Sequence, residues 1–158
     1  MLDLYGFFCY IVFKGGFMKN FRTKKPFAII SAERFTATLK ENEKSHKALL
    51  SQLKRDGFKT KVVEGVYHDT SEKSILVLLD SNFIAIDLGY LKNYGAMFDQ
   101  ESILFVDSER KAELIFPGLA KTEKLGNFIS VTKGVAIQCR NYTQDGNDFY
   151  ICDLAGVA

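Results

Sequence analysis

The chain has 158 residues, 47% hydrophobic and 25% charged, which argues against disordered, collagen-like and low-complexity classes and suits one domain with a core that needs no staples. Three widely spaced cysteines, Cys9, Cys139 and Cys152, oppose a disulfide framework, and the lack of any C-x-x-C pair opposes a zinc knuckle or dithiol site. The net charge of +2 hides an asymmetry: 13 Lys/Arg against 5 Asp/Glu through Lys61 give +8, and the remainder carries −6, so the domain is bipolar, able to steer a charged partner or simply to present two solvated faces.

Leu4 to Phe13 is apolar but only about half the ~20 residues a membrane-spanning helix needs. Asp3 precedes it and the basic residues Lys14, Lys19 and Arg22 follow, the reverse of a signal peptide. Lys14-Gly15-Gly16 can be encoded by a purine run of the kind that binds bacterial ribosomes, with Phe17 as spacer before Met18. Residues 1–17 therefore read as a non-native leader and 18–158 as a single α+β domain of a bacterium or phage, cytoplasmic, with no membrane partner. The rival, a membrane-touching arm, lacks an amphipathic helical pattern.

Phe27 to Ala32 is a short apolar run after Pro26 and reads as a buried strand. Asn42 to Asp56 reads as a helix, with Asn42, His46, Leu49 and Leu53 on one stripe and Gly57 as its stop. Phe58 to Val66 is the next strand, Tyr67 to Lys73 a polar connection, and Ser74 to Leu79 an aliphatic strand. Ser81 or Asn82 caps a second helix running to Tyr94 and stopped by Gly95. Ser102 to Val106 and Glu113 to Phe116 are strands around a turn at Ser108 to Lys111. Phe128 to Val131, Val135 to Arg140 and Phe149 to Leu154 read as further strands, with Asp145-Gly146 in the last turn. The order β-α-β-β-α-β is that of a ferredoxin-like two-layer α+β sandwich, with extra C-terminal strands. That fold hosts many unrelated functions.

Functional signals are sparse. No G-x-S-x-G elbow, phosphate loop or metal-ligand spacing occurs, so no catalytic residue, metal or cofactor is assigned. His46 continues the apolar stripe of its helix toward the N-terminus, near where the first strand should deliver Ser31 and Glu33. Glu33, Asn42, His46, Tyr67, Glu72, Ser74 and Gln100 are therefore the candidate ligand-binding residues, lining one surface at a helix N-terminus that favours anions. The bland alternative is that Asn42 and His46 satisfy each other and a loop. A basic arm (Lys19, Arg22, Lys24, Lys25) and helix lysines allow phosphate contacts, but no nucleic-acid reading motif is present.

The segments Phe27-Ala28-Ile29-Ile30-Ser31-Ala32, Glu41-Asn42 with His46, Gly65-Val66-Tyr67, Glu72-Lys73-Ser74 and Phe98-Asp99-Gln100-Glu101-Ser102-Ile103 follow one another in order. Over roughly residues 26–116 the chain resembles the bacterial and phage domain-of-unknown-function family numbered three-two-nine-three. The resemblance implies no activity; it implies that Asn42, Gly65, Glu72, Ser74 and Gln100 are recurrent polar positions. The leading functional reading is a non-catalytic phage or bacterial accessory protein that binds a host protein or a small anionic, nucleotide-like ligand. The second is an enzyme acting on a nucleotide or nucleic acid, with His46 and Glu33 or Glu72 as acid–base groups. The third is a structural or virion component.

Overall fold

The computed structural model describes residues 12–13, 24–67, 70–139, 141–145 and 148–153; residues 1–11 and 14–23, most of the segment read as a leader, lie outside them. In chain order the elements are β1 (Val12–Phe13), β2 (Phe27–Ile30), α1 (Leu39–Arg55), β3 (Lys59–Tyr67), β4 (Thr70–Leu78), α2 (Ile84–Met97), β5 (Ile103–Val106), β6 (Lys111–Phe116), β7 (Lys121–Val131), α3 (Lys133–Cys139), β8 (Asn141–Asp145) and β9 (Asp148–Asp153). Apart from β1, which lies parallel to β8, the sheet is antiparallel and runs β3-β4-β2-β5-β6-β7-β9-β8. It curls until β8 pairs back onto β3, through Val66–Tyr142 and Tyr67–Asn141, and closes as a barrel.

The mixed α/β class and antiparallel sheet match the expectation from sequence. An open two-layer sandwich does not describe them, because closure leaves the sheet without the bare edges such a sandwich has. Period-two alternation sorts the strands into two faces. Phe27, Ile29, Leu76, Leu104, Leu114 and Phe128 fill the inside of the curl. Ala28, Ile30, Ile75, Val77, Phe105 and Ile115 form the outer face, covered by Leu49 and Leu53 of α1 and Leu91 and Tyr94 of α2. Leu49 and Leu53 are fully buried, each contributing about 2 kcal/mol.

Helix α1 starts three residues earlier than the apolar stripe indicates. Thr38 caps it through a reciprocal box with Glu41, whose carboxylate accepts the Thr38 N–H (2.8 Å). Gly57, at φ +85°, ends it: Phe58 N–H donates to Leu53 C=O (3.0 Å) and Gly57 N–H to Lys54 C=O (3.1 Å).

Three further differences from the sequence reading have a clear physical cause. Gly95 does not stop α2; the helix continues to Met97, and Asp99, at φ +53°, makes the left-handed turn. Gln100 N–H then donates to Gly95 C=O (2.8 Å) and Asp99 N–H to Ala96 C=O (3.2 Å). Gly95 is instead a packing residue, since a Cβ there would lie 2.5 Å from Pro117 Cγ. Gly95→Ala is therefore expected to cost about 1 kcal/mol or more, because overpacking against a rigid ring outweighs the helix propensity that alanine gains. Urea unfolding checks this; a variant as stable as the parent would show that Pro117 yields.

The second difference is residues 70–73, which are not a connection: β3 and β4 pair without a break from Lys59–Leu78 to Tyr67–Thr70. Polarity there marks an inner-face site rather than a loop. The third is Val135 to Cys139, which is helical (α3) rather than extended. Since β9 is already paired to β7 on one side and β8 on the other, a strand at 135–140 would find no free edge there.

Candidate active site

Strand β2 is apolar up to Ile30, which pairs with Ile75 of β4. One residue later the chain leaves the ladder, and side chains take over its hydrogen bonds. Ser31 Oγ donates to Lys73 C=O (2.9 Å), and Lys73 N–H donates to Glu33 Oε2 (3.2 Å). Glu33 N–H in turn donates to Ser31 Oγ (3.0 Å). These bonds satisfy backbone groups of β4 that would otherwise be left open where β2 ends.

Two helix ends then fix the loop that carries Glu33. From the first turn of α1, Asn42 Oδ1 accepts Arg34 N–H (2.8 Å) and Asn42 Nδ2 donates to Arg34 C=O (3.0 Å). From the end of α2, the left-handed turn at Asp99 aims Gln100, whose Nε2 donates to Glu33 C=O (3.1 Å) and Phe98 C=O (3.3 Å). Arg34 and Asp99 also form an ion pair at 3.0 Å, too exposed to contribute much.

Alternation along β4 sets Glu72 and Ser74 on the inner face with Leu76, and Ser31 follows Phe27 and Ile29 there. Gly65 stands opposite Glu72 in the ladder, so the directly cross-strand position carries no side chain. Burial pushes the Glu72 carboxyl above the usual carboxylate range; the Ser31 hydroxyl, within hydrogen-bond reach, opposes this, and the charge of Glu33 adds to it. Ser74 is fully buried, and its Oγ has no hydrogen-bond partner among the described residues.

His46 approaches from the outer face, one turn along α1 from Asn42. It is 6% exposed, and neither ring nitrogen has a partner among the described residues. Burial lowers its pKa, the charge of Glu33 works against that, and Lys73 adds to the lowering. Asn42 is therefore satisfied by the Arg34 backbone, not by His46.

Around the end of β2, Gln100 bonds the Glu33 backbone, Asn42 bonds that of Arg34 beside it, and the charge of Glu33 acts on His46 and Glu72; Ser74 lies two residues beyond Glu72 on the same face of β4. Tyr67 sits opposite Thr70 at the turn end of β3; its side chain lies outside the described residues, as does His68. Sequence reasoning left Ser31 off the candidate set, although its alternation with Phe27 and Ile29 was the available signal. Among the described residues no group of three or more His, Cys, Asp or Glu could hold a metal, and no helix is long and apolar enough to cross a membrane.

The sequence model of the S-Adenosylmethionine lyase family matches residues 28–153, from β2 to β9. The chain belongs to that family. Membership overturns the likeness to a family of unknown function, and with it the reading of a non-catalytic accessory protein: S-Adenosylmethionine lyases are by name enzymes. No curated protein matches the chain. Among solved structures, a phage SAM lyase in complex with S-methyl-5'-thioadenosine matches at 17% identity, over 63% of this chain and 86% of that one, with a TM-score of 0.31. A superposition this loose carries no weight for the site.

A separate cleft of about 1230 Å³ opens at the other end of β3 and β4, between Phe58, Lys59, Leu78, Phe83, Ile86 and Tyr90. Leu78 is six residues from Glu72 along β4, roughly 20 Å away at strand rise. The cleft carboxylates serve the start of α2: Asp87 Oδ2 accepts Asp80 N–H (3.0 Å) and Asp80 Oδ1 accepts Asn82 N–H (2.9 Å). Unsatisfied buried groups lie at the end of β2 instead, which makes that cluster the stronger candidate site. Ser74→Ala is accordingly expected to raise stability by about 1 kcal/mol, since it removes a buried hydroxyl that has no partner. Chemical denaturation reads the change, and a loss of stability would reveal a partner for Oγ.

Proposed function

We propose that this chain cleaves S-adenosylmethionine at the cluster around Glu33 and Glu72. The observation that carries the reading is the family match, which spans the whole cluster. In support, the site's chemistry suits that substrate. S-adenosylmethionine is a sulfonium that also bears an α-ammonium and a carboxylate. A lyase adds no second reactant, so its tasks are to hold one substrate conformation, exclude water and match charge. Cleaving a carbon–sulfur bond returns the electron pair to sulfur as a neutral thioether, and the carbon left behind is closed within the substrate, by loss of a neighbouring proton to form an alkene or by attack of the substrate's own carboxylate to form a lactone.

In this reading the Glu72 carboxylate meets a cationic group of the substrate from the inner face. A half-buried carboxylate interacts more strongly there than in water. Glu33 supplies the second negative charge, Gln100 holds the Glu33 loop through its C=O, and Ser74 Oγ offers a hydroxyl to the polar amino-acid end. The β2–β5 segment with α1 and α2 acts as a ferredoxin-like unit that the later strands extend into the barrel. Of the earlier alternatives, the enzyme is retained, with a sulfonium nucleoside in place of a nucleotide or nucleic acid and with Glu33 and Glu72 as charged rather than acid–base groups.

The test is incubation of the full chain with S-adenosylmethionine and mass spectrometry of the products. A thioether accumulating as the substrate disappears is the expected result, and its mass identifies which bond broke. Substrate left intact by a stoichiometric excess of folded protein would refute the reading.

A further inference from the structure

His46 stands out among the buried groups because nothing described so far uses it. A buried imidazole with two unpaired nitrogens is a cost to the fold unless it gains a partner in another state. Its surroundings limit what that partner can be. Asn42, one turn earlier on the same stripe, is committed to Arg34, the residue after Glu33. Glu33 gives one carboxylate oxygen to Lys73 N–H. Lys73 of β4 and Glu33 of the loop after β2 are the charged groups that act on the ring. On its own helix Glu43 is paired with Lys47 at 2.8 Å, and Glu72 lies beyond Glu33 on the inner face.

We propose that His46 is a positioning residue of this site: its neutral imidazole donates a ring N–H to the second oxygen of the Glu33 carboxylate and sets that carboxylate against the substrate. The proposal rests on reading the cluster as the lyase site. Burial and Lys73 both favour the neutral ring, which has one donor and one acceptor nitrogen. Lys73 N–H holds one Glu33 oxygen from the sheet; the imidazole would hold the other from the helix, leaving the carboxylate no freedom to rotate. Hydrogen bonds of this kind are often long in an enzyme at rest and tighten around bound substrate. His46 touches no reacting atom and acts only through Glu33.

Two variants and one spectroscopic measurement test this. His46→Leu should lower kcat for S-adenosylmethionine cleavage on the order of 10²-fold, with KM nearly unchanged and the melting temperature equal or higher. His46→Gln, which restores a neutral donor and acceptor, should recover most of the rate. Full kcat in His46→Leu, or a loss that tracks the fraction folded and is not relieved by glutamine, would overturn the proposal. Independently of turnover, the chain has only two histidines, so nitrogen NMR can follow the His46 ring. Glu33→Gln should lower the His46 pKa because it removes the nearby negative charge; a titration indifferent to Glu33 would overturn the proposal even in an active enzyme. If the wild type fails to cleave the substrate while the two residues remain coupled, the lyase reading has failed and the proposed pairing of His46 with Glu33 stands.

Discussion

Glu72→Gln is expected to slow cleavage of S-adenosylmethionine by about 10²–10³-fold and, in the same protein, to raise the melting temperature at neutral pH. Both effects have one cause. The Glu72 carboxyl is held above its ordinary range by burial and by the charge of Glu33, with the Ser31 hydroxyl pulling the other way. An acid whose folded pKa is raised binds its proton more tightly when folded. The stability it contributes is therefore complete below the pKa of the unfolded chain and is lost as pH rises through the folded value. At neutral pH the wild type carries that cost, and the neutral amide does not. The stability advantage of the variant should shrink on acidification and vanish below about pH 4, where both chains are uncharged at this position. Thermal melts across pH and initial rates on the same preparations check the pair of effects. A variant that keeps its activity would remove Glu72 from the site, and one less stable at neutral pH would show that the carboxylate is better solvated than its burial implies.

Glu33→Gln is the second large effect, and its signature is a shift along the pH axis. Glutamine keeps an oxygen for Lys73 N–H and leaves the backbone C=O for Gln100, so the loop should hold its shape. What is lost is one negative charge beside the substrate cation and beside Glu72. The rate at neutral pH should fall by about tenfold or more, the scale of a lost charged contact. The acid limb of the rate profile should move to lower pH, because without Glu33 the Glu72 carboxyl ionises more readily. An acid limb that stays in place would show that Glu72 is not the group whose ionisation limits turnover. Glu33→Ala, by contrast, also leaves Lys73 N–H without its acceptor and should cost about a further 1 kcal/mol of stability.

Sequence alone made much of the local structure legible. The stripe of His46, Leu49 and Leu53 is the buried face of α1, and Gly57 ends that helix because only glycine takes a left-handed backbone without strain. The apolar run of β2, the aliphatic run of β4 and the turn between β5 and β6 likewise follow from periodicity and turn chemistry. The choice of Glu33, Asn42, His46, Glu72, Ser74 and Gln100 came from one stripe and a set of recurrent polar positions. Their chemistry was not legible, because no residue of the set carries a motif. Each is an ordinary polar side chain until a neighbour far away in sequence changes its environment.

Those neighbours were supplied by the tertiary structure. Polar residues 70–73 read as a loop because polarity along a chain does not reveal which side of a sheet it faces; only the pairing of β3 with β4 turns Glu72 inward. The role of Gly95 depends on Pro117 occupying the space beside it, a contact across more than twenty residues. The helix at Val135 to Cys139 depends on β9 having both edges already taken. Closure of the barrel rests on β8 meeting β3, and the raised carboxyl of Glu72 on its burial, to which the charge of Glu33 from the loop after β2 adds. Periodicity and turn chemistry act between residues a few positions apart, so the sequence determined the elements and their buried faces. Burial of charge and competition for sheet edges act through space, so only the tertiary structure decided the barrel and the character of its site.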